Sequence, residues 1–443
     1  MVRKVLIIGA SGRDYHNFNI YFRNNPNYRV VAFLQTQLPG IAGRRYPPSL
    51  AGELYREGIP ILHIEYLEEI VKKYGVDEAV LSYSDLSYDE LGRIISRLIA
   101  CGLSFRILGL KDTMIESSKP VIAVTAVKTG AGKSSVSREI ANVLIRRGFR
   151  VGVVRHPMAY GDLEKTVVQI IRSIDDLNKY NATIEEREEY EHYIEQGLTI
   201  YAGVDYGKLL NIIEKERDII LWDGGNNDWP FYKPDYMVTV ADAMRPGLEV
   251  KTYPGEVNIR LANTIIINKV DQAQPGAVEY IVKNIKEVNP NAKISLAESE
   301  VSVDKPELLF GNKALVVEDA PTVTHGGSPY AAGYVAAKKY GAEIVDPRPY
   351  ATPFFRKIYE EYPHLGPVLP SMGYRSDQLM ELQEVINSTP ADVVVLGTPS
   401  NLARLIKINK PVVRVKFRIK IIEGPSIEDI VNEFLEKTRF KIG

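Results

Sequence analysis

The hydrophobic positions of this chain fall into short apolar runs and longer segments with helical spacing, and the two kinds alternate. In the first part of the chain, apolar runs cover residues 3–9, 28–34, 78–83 and 104–108, and helical segments cover 67–74 and 88–100. Such alternation predicts a parallel, doubly wound sheet. The turn Gly9-Ala10-Ser11-Gly12 lacks the third glycine of a dinucleotide fingerprint. We therefore expect a Rossmann-like domain adapted to another anion.

A second alternating pattern begins after the polar segment 111–120, which ends in proline. Its apolar runs lie at residues 121–124, 150–154, 219–221, 236–240, 264–267 and 314–317. Between them, the segment 184–196 is dense in Glu and Tyr and predicts a solvated helix. A proline-rich stretch precedes the last helical segments, 354–361 and 376–387, and the last apolar runs, 392–396 and 412–417. The whole pattern is typical of an α/β protein.

Composition excludes several classes of protein. No apolar run of the 443 residues approaches the roughly 20 residues of a membrane span, and the chain begins without the layout of a signal peptide. The single cysteine, Cys101, excludes an intramolecular disulfide and fits a reducing cytoplasm. A net charge of −1 argues against a general nucleic-acid binder. We expect a cytoplasmic protein without membrane or nucleic-acid partners; few Cys and Met with many Tyr hint at a thermophile.

Residues 121–135, VIAVTAVKTGAGKSS, run from an apolar strand through a glycine-bearing loop into a helical segment. This order predicts a P-loop, in which backbone N–H groups and the helix N-terminus bind phosphate. Lys133 would reach the β- and γ-phosphates, and the Ser134 hydroxyl would be a ligand of Mg²⁺. The predicted nucleotide-binding residues of this loop are Lys128, Thr129, Gly130, Ala131, Gly132, Lys133, Ser134 and Ser135.

The loop departs from the standard P-loop pattern at two positions. Val127 stands where the standard motif has its first glycine, and Lys128 adds a second lysine. The string Lys-x-Gly-x-Gly-Lys-Ser resembles the deviant Walker A motif of the partitioning, nitrogenase-iron-protein and metallochaperone group of P-loop ATPases and GTPases. In that group the second lysine contacts nucleotide across a dimer interface, so the resemblance implies a homodimer.

Two further strand ends carry polar residues suited to a nucleotide. Asp223 ends an apolar run in the layout of a Walker B acid, which would hold Mg²⁺ together with Ser134. Asn268, Lys269 and Asp271 form an Asn-Lys-x-Asp motif after another apolar run. The aspartate of this motif binds guanine in GTPases. The motif therefore predicts a base-binding loop and, taken alone, favours guanine.

The remaining candidate residues lie near glycine turns or strand ends. Residues 1–50 contain seven Lys or Arg and one acid, which predicts an anionic small-molecule site in the first domain. His156 and Asp162 follow the run 150–154 and join Lys128, Lys133 and Asp223 as candidate catalytic residues. The candidate substrate-binding residues are Arg13, His16, Asn17, Arg44, Arg45, Arg155 and His325. Taken singly, the His and Arg side chains of the set are equally compatible with ordinary structural positions.

We therefore expect three parts in the chain. Residues 1–118 would form the Rossmann-like, anionic substrate-binding domain, and residues 119–345 a P-loop nucleotide-binding domain of the deviant Walker A type. Residues 346–443 would form a smaller C-terminal α/β segment.

Several unusual strings of this sequence together resemble one family. These are GASGRDYHNFN, PGIAGRRYP, VKTGAGKSS, RHPMAYGDL, WDGGNND, ADAMRPGLE, INKVD, VTHGGSPYAAGYVAAKKYGA, VDPRPYA, YPHLGPVLPSMGY and RVKFRIK. They are similar to the cyclic 2,3-diphosphoglycerate synthetases from about residue 4 to residue 420. The resemblance covers nearly the whole chain.

The resemblance implies an ATP- and Mg²⁺-dependent ligase of an archaeal cytoplasm. Linear 2,3-diphosphoglycerate would be closed into a ring through a phosphoanhydride between its own phosphates, with release of ADP and phosphate. Lys128 and Lys133 would neutralise the phosphoryl donor, and Arg13, Arg44 and Arg45 would hold the acceptor. We expect ATP rather than GTP, because the resemblance covers far more residues than the Asn-Lys-x-Asp motif.

The alternative is a P-loop GTPase that acts as a regulatory or metallochaperone-like switch. A switch needs no second anion site, so the excess of positive residues in the first domain favours the enzyme.

Overall fold

The first sheet contains six strands among the residues that the computed structural model describes, which are 2–10, 12–36, 43–156, 161–225, 228–324, 326–372, 376–398 and 402–441. The strands of this part of the chain are β1 (Arg3–Ile8), β2 (Tyr28–Gln35), β3 (Arg45–Tyr46), β4 (Ile59–His63), β5 (Glu78–Leu81), β6 (Leu86–Ser87) and β7 (Ser104–Ile107). The helices are α1 (Arg13–Asn17), α2 (Pro48–Ala51), α3 (Leu67–Tyr74), α4 (Tyr88–Ala100) and α5 (Leu110–Thr113).

The first sheet has the order β3-β4-β2-β1-β5-β7, and its pairs are parallel except for β3 with β4. The order reverses between β1 and β5, so residues 9, 10, 12 and 82–85 lie where doubly wound sheets bind ligands. The predicted Rossmann-like arrangement is confirmed.

A second sheet contains thirteen strands within the described ranges, in the order β10-β11-β9-β12-β8-β13-β15-β16-β21-β20-β17-β18, with β19 paired to β17. The strands of this part of the chain are β8 (Val121–Ala126), β9 (Val151–Val154), β10 (Gln169–Ile171), β11 (Thr199–Ala202), β12 (Ile219–Trp222), β13 (Tyr236–Asp242), β14 (Thr252–Tyr253), β15 (Thr264–Asn268), β16 (Lys293–Val303), β17 (Lys313–Glu318), β18 (Glu343–Ile344), β19 (Leu369–Pro370), β20 (Val393–Leu396) and β21 (Val412–Glu423). Strand β8, which leads into the P-loop, is buried along its whole length.

Helices connect and cover these strands. They are α6 (Lys133–Arg146), α7 (Ile174–Lys179), α8 (Ile184–Ile194), α9 (Tyr206–Glu216), α10 (Leu248–Lys251), α11 (Gly255–Leu261), α12 (Ala277–Val288), α13 (Ala320–Val323), α14 (Ala332–Lys339), α15 (Pro353–Glu361), α16 (Ser376–Ser388) and α17 (Ile427–Thr438). The strand–loop–helix unit predicted around the P-loop is present as β8 followed by α6, which confirms the P-loop fold.

A long antiparallel ribbon of β16 and β21 turns the chain back over the P-loop. The first residues of β16 pair with β15, and β16 then continues beside β21 as far as the Val303–Val415 pair. Strand β20 runs parallel to the first residues of β21, and β17 runs parallel to β20. Strands β17 and β20 therefore point back toward the carboxyl ends of β8, β12 and β15, and a cavity lies between the two sets of strand ends.

The three parts of the chain are linked by their sheets. Strand β6 of the first part pairs with β14 of the second, and the second sheet contains strands from both sides of residue 345. The division at residues 118 and 345 stays a prediction. Within the part of the chain that the structure describes, no helix is both long and apolar enough to cross a bilayer.

Candidate active site

The P-loop leaves β8 at Ala126 and enters α6 at Lys133. Gly130 and Gly132 have φ values of 84° and 106°, in the left-handed region that favours glycine. A Cβ atom on Gly132 would lie 2.2 Å from Nδ2 of Asn268, so this position has no room for a side chain. The backbone can therefore present its N–H groups and the N-terminus of α6 to a phosphate.

Asp223, directly after β12, is fully buried beneath the P-loop. Its Oδ1 lies 2.5 Å from Nζ of Lys133 and accepts a hydrogen bond from Oγ of Ser137 at 2.9 Å. Its Oδ2 accepts hydrogen bonds from Nη1 of Arg155 at 2.5 Å and from the Tyr193 hydroxyl at 2.7 Å. Burial opposes ionisation, but Arg155 and Lys133 outweigh it and hold the pKa of Asp223 below its usual range. The predicted Walker B acid is therefore an ionised carboxylate in contact with the P-loop lysine.

Helix α8 carries part of this network, contrary to the prediction that the segment 184–196 is a solvated helix. Tyr190 and Tyr193 on this helix are buried, and Tyr193 contacts Asp223. Glu189 forms an ion pair with Arg155, which is itself buried. The Glu and Tyr residues gave no signal of this because their partners lie far away in sequence.

The Asn-Lys-x-Asp motif contacts the P-loop from the other side. Nδ2 of Asn268 donates to the carbonyl of Ala131 at 2.9 Å, and Nζ of Lys269 donates to the carbonyl of Gly130 at 2.7 Å. Oδ1 of Asn268 has no hydrogen-bond partner among the described residues. Asp271 is exposed, and its Oδ1 accepts a hydrogen bond from the backbone of Ser299.

A cavity of about 240 Å³ lies over these groups. The residues that line it from the P-loop side include Lys128 to Ser135, Arg155, Glu189, Gly225, Asn268 and Lys269. Asp319, Thr322, Tyr330 and Gly397 line it from the C-terminal strands. The predicted nucleotide-binding residues of the P-loop and the first two residues of the Asn-Lys-x-Asp motif are thus brought together.

His156 and Asp162 are placed differently from each other. His156 is buried and packs so closely on the first domain that a Cβ atom on Gly12 would lie 1.7 Å from its Nε2. Asp162 lies 3.9 Å from Nζ of Lys165 near the surface, and it is not among the described residues that line the cavity. A catalytic role stays a prediction for both.

Arg13 and His16 of the first domain pack on the second domain. The Arg13 guanidinium lies 4.1 Å from the ring centre of Trp229, and its Nε lies 2.9 Å from Oδ1 of Asp228. The His16 ring stacks on Phe231 at 4.0 Å, and burial lowers the pKa of His16 to about 3. Both side chains thus form domain contacts, and neither is among the described residues that line the cavity.

The other candidate substrate-binding residues do not converge on one anion site. Nδ2 of Asn17 donates to Ser82, Arg44 donates to the carbonyl of Gly161, and Arg45 donates to the carbonyls of Glu57 and Gly58. Of the whole candidate set, Arg155 is the described member that reaches the cavity. His325 lies outside the described residues.

Sequence reasoning missed Asp85 as well as Tyr193 and Glu189. Asp85 belongs to the first domain, and Oδ2 of its carboxylate accepts a hydrogen bond from the Thr129 hydroxyl at 3.0 Å. The excess of positive residues in that domain predicts an arginine-lined site, whereas the acid Asp85 contacts the P-loop.

Comparison with known proteins places the chain among synthetases. The family described as cyclic 2,3-diphosphoglycerate synthetase, P-loop domain, matches residues 198–297. The arginine synthetase ArcE of Thermococcus kodakarensis is 54% identical over 98% of this chain and 97% of its own length. The cyclic 2,3-diphosphoglycerate synthetase of Thermococcus sibiricus is 24% identical over 58% of this chain and 64% of its own length. The solved structure of LpxK from Aquifex aeolicus covers 83% of this chain and 99% of its own, with 13% identity and a TM-score of 0.40.

These findings confirm the family and correct the expected reaction. The predicted cyclisation of 2,3-diphosphoglycerate is wrong, because the relative that matches almost the whole chain at 54% identity is an arginine synthetase. The roles given to Arg13, Arg44 and Arg45 toward that substrate lose their basis with it. The coarser prediction, an ATP-binding ligase with a P-loop, is supported, and it favours an enzyme over the GTPase switch.

Proposed function

The chain belongs to the same family as the arginine synthetase ArcE and the cyclic 2,3-diphosphoglycerate synthetases, and from this premise we propose that it is an ATP-dependent ligase that forms arginine. The match to ArcE over almost the full length of both chains carries the choice of product. The P-loop, with Lys133 beside Asp223 under a cavity, supports the use of a nucleoside triphosphate.

The product suggests how ATP would be used. Arginine ends in a guanidino group, in which one carbon bears three nitrogens. In a precursor of arginine, this carbon would bear two nitrogens and one oxygen. The oxygen can take the γ-phosphoryl group, which breaks the terminal P–O bond of ATP and releases ADP. An incoming nitrogen then forms the third C–N bond and displaces inorganic phosphate. Phosphoryl transfer of this kind depends mainly on positioning and charge stabilisation, which P-loop residues supply.

The P-loop residues at the floor of the cavity, and the buried residues behind them, each have a part in this proposal. The N–H groups of the P-loop and Nζ of Lys133 hold the phosphates, and the N-terminus of α6 adds its positive end. Ser137 and Tyr193 fix the two oxygens of Asp223 through hydrogen bonds of 2.9 and 2.7 Å. Arg155 lies between Asp223 and Glu189, so its charge is held next to the phosphate end of the loop.

The donors present fit a magnesium ion. Ser134 supplies a hydroxyl on the cavity wall, and Asp223, buried behind Lys133, supplies a carboxylate oxygen. Both are hard oxygen ligands of the kind Mg²⁺ prefers. Ser134 and Asp223 would hold the ion, which would neutralise negative charge that develops on the phosphates during transfer. Lys133 would then exchange its contact with Asp223 for a phosphate oxygen.

Asn268 supports adenine as the base. A side-chain amide can donate to N7 and accept from the N6 amine of adenine, whereas guanine presents two acceptors, N7 and O6, on that edge. The unpaired Oδ1 of Asn268 suits the adenine amine and would face the O6 acceptor of guanine. Asp271, the residue expected to select guanine, is held by the backbone of Ser299.

The test runs the reaction in reverse, because that direction needs no choice of the nitrogen donor. Purified protein is given arginine, ADP, phosphate and Mg²⁺, and ATP is measured. We expect ATP formation that depends on arginine, with the loss of one nitrogen from the guanidino group. The same assay with 2,3-diphosphoglycerate and ATP should release no phosphate above background. Absence of arginine-dependent ATP formation, while the protein still binds ATP, would reject arginine as the product.

A further inference from the structure

The second lysine of the P-loop has its partner in the same chain. Nζ of Lys128 donates to the backbone carbonyl of Asp85 at 2.7 Å and lies 3.4 Å from its Oδ1. The other carboxylate oxygen of Asp85 accepts a hydrogen bond from the Thr129 hydroxyl at 3.0 Å. Both P-loop residues also line the cavity. Asp85 of the first domain thus contacts two residues at the start of the P-loop, Lys128 and Thr129.

Asp85 occupies a special place in the first domain. It follows β5 at the carboxyl edge of the sheet, beside the point where the strand order reverses between β1 and β5. Its φ of 70° is unusual for a residue with a side chain. Such backbone strain persists where the surroundings fix a residue in one conformation, here through the two P-loop contacts.

A second contact holds the same loop from the opposite flank. Nη2 of Arg245 donates to the carbonyl of Thr129 at 2.8 Å, and its guanidinium is fixed by Asp242 and by the carbonyl of Gly326. Gly326 lies in a turn between α13 and α14, in the C-terminal part of the chain. The loop before α6 is therefore held between the first domain and the C-terminal part of the chain.

We propose that Asp85 is a positioning residue for Lys128, which holds the lysine ammonium at the phosphate end of the P-loop of its own chain. This role rests on the ATP-dependent activity proposed above. A lysine side chain has many rotamers, and fixing it costs conformational entropy. The contacts with Asp85 order the Lys128 side chain before the nucleotide binds. The ammonium is then already placed at the wall of the cavity, so the gain appears in the rate of phosphoryl transfer.

The pairing also bears on the expected homodimer. In the deviant Walker A group the second lysine acts on the nucleotide of a partner chain, which requires a dimer. Here Lys128 lines the cavity of its own chain while it is paired with Asp85 of that chain. Lys128 therefore acts within one chain, whatever the number of chains in the assembly.

The decisive variant is Asp85→Asn. Asparagine tolerates positive φ and keeps the size of the side chain, so the substitution removes the charge and leaves the backbone in place. We expect kcat for ATP use to fall by about 10- to 100-fold, with ATP affinity not weakened. Asp89→Asn, which removes an exposed carboxylate from the start of α4, is the matched control and should leave kcat unchanged. Equal kcat in both variants would overturn the proposal.

A double-mutant cycle separates positioning from general support of the fold. Lys128→Ala should lower kcat about as much as Asp85→Asn does, and the double variant should be no worse than Lys128→Ala alone. If the fold-loss in kcat of the double variant equalled the product of the two single losses, Asp85 would act independently of Lys128, which contradicts the proposal. Thermal unfolding of each variant, compared with Asp89→Asn, checks that the losses do not come from unfolding.

Mixing experiments test whether Lys128 acts within one chain. Lys128→Ala and Lys133→Ala proteins are unfolded, mixed and refolded together, so that any dimer contains both kinds of chain. A lysine that acts across an interface would restore activity in mixed dimers; we expect no recovery beyond the sum of the separate proteins. Recovery to about a quarter of the wild-type activity, the share expected statistically from one intact site in each mixed dimer, would overturn action within one chain.

A readout without turnover keeps this test separate from the arginine proposal. Lys128 is labelled with an amine-reactive reagent and quantified by mass spectrometry, with and without ATP. We expect slow labelling in the wild type, faster labelling in nucleotide-free Asp85→Asn, and renewed protection when ATP is added. Unchanged labelling of Lys128 in Asp85→Asn would refute the positioning role even if the protein forms arginine. Slower labelling in the wild type than in Asp85→Asn would support that role even if the protein does not form arginine.

Discussion

Nζ of Lys133 lies 2.5 Å from Oδ1 of Asp223, so the P-loop lysine is paired with the Walker B acid. Burial lowers the pKa of Lys133, and the carboxylate opposes that effect. A phosphate that enters the loop must draw the lysine away from this partner. Arg155, Ser137 and Tyr193 remain on Asp223 when it does. The acid therefore keeps enough partners to stay ionised when Lys133 turns to a phosphate.

Lys133→Ala should abolish turnover and leave the fold intact. The variant loses a charge that faces the transferred phosphoryl group, whereas Asp223 keeps its contact with Arg155 at 2.5 Å. We expect kcat/KM for ATP to fall by about 1,000-fold or more, equivalent to about 4 kcal/mol of transition-state stabilisation. Steady-state kinetics measure the loss, and circular dichroism checks the fold. Turnover close to that of the wild type would mean that catalysis occurs away from the P-loop.

Asn268 should make the protein prefer ATP to GTP. We expect an affinity difference of at least tenfold, about 1.4 kcal/mol, measured by calorimetry with non-hydrolysable analogues. In Asn268→Ala this ratio should shrink, because Oδ1 no longer accepts from the adenine amine. The ratio is the informative quantity, since loss of the 2.9 Å contact with Ala131 weakens both nucleotides alike.

Asp271→Ala gives the opposing test of the base-binding loop. If the aspartate of the Asn-Lys-x-Asp motif selected guanine in this chain, the wild type would prefer GTP and this variant would lose that preference. An ATP preference that survives in Asp271→Ala agrees with the exposed position of the residue.

The sequence predicted those parts of the site that adjoin one another along the chain. Lys133 and Ser134 are recognisable because strand, glycine loop and helix are consecutive, and Asp223 because it ends an apolar run. The ribbon of β16 and β21 could not be foreseen, since a local pattern carries no register between residues so far apart. For the same reason the sequence predicts a solvated helix around Tyr193, although the Tyr193 hydroxyl donates to Asp223 beneath the P-loop.

Some of the positive residues near the N-terminus are paired inside the protein. An excess of Lys and Arg predicted an anion site, but the chain alone does not show which charges are already used inside the protein. Arg13 forms an ion pair with Asp228 and lies over the rings of Trp229 and Phe231. The structure therefore gives this arginine a role in the contact between domains.

His16 should make the contact between the domains sensitive to acid. Its ring is buried, stacks on Phe231 at 4.0 Å, and Nε2 lies 2.6 Å from the carbonyl of Thr113. Burial lowers the pKa of His16 from 6.5 to about 3, so the folded protein holds the ring neutral. Below pH 6.5 the unfolded chain binds a proton that the folded chain does not. Stability from this group is therefore complete above pH 6.5 and is lost as the pH falls from 6.5 toward 3.

The expected loss at pH 4.5 is about 2 to 3 kcal/mol of unfolding free energy relative to pH 7, since one pKa unit corresponds to about 1.4 kcal/mol. His16→Gln retains a donor for the Thr113 carbonyl but does not titrate, so its stability should fall less over this range, although the lost stacking on Phe231 lowers it at every pH. Urea unfolding of both proteins at pH 7.0, 5.5 and 4.5 measures how steeply the unfolding free energy of each depends on pH. An equal dependence of unfolding free energy on pH in both proteins would mean that His16 is protonated in the folded protein, which its position between Phe231 and Thr113 opposes.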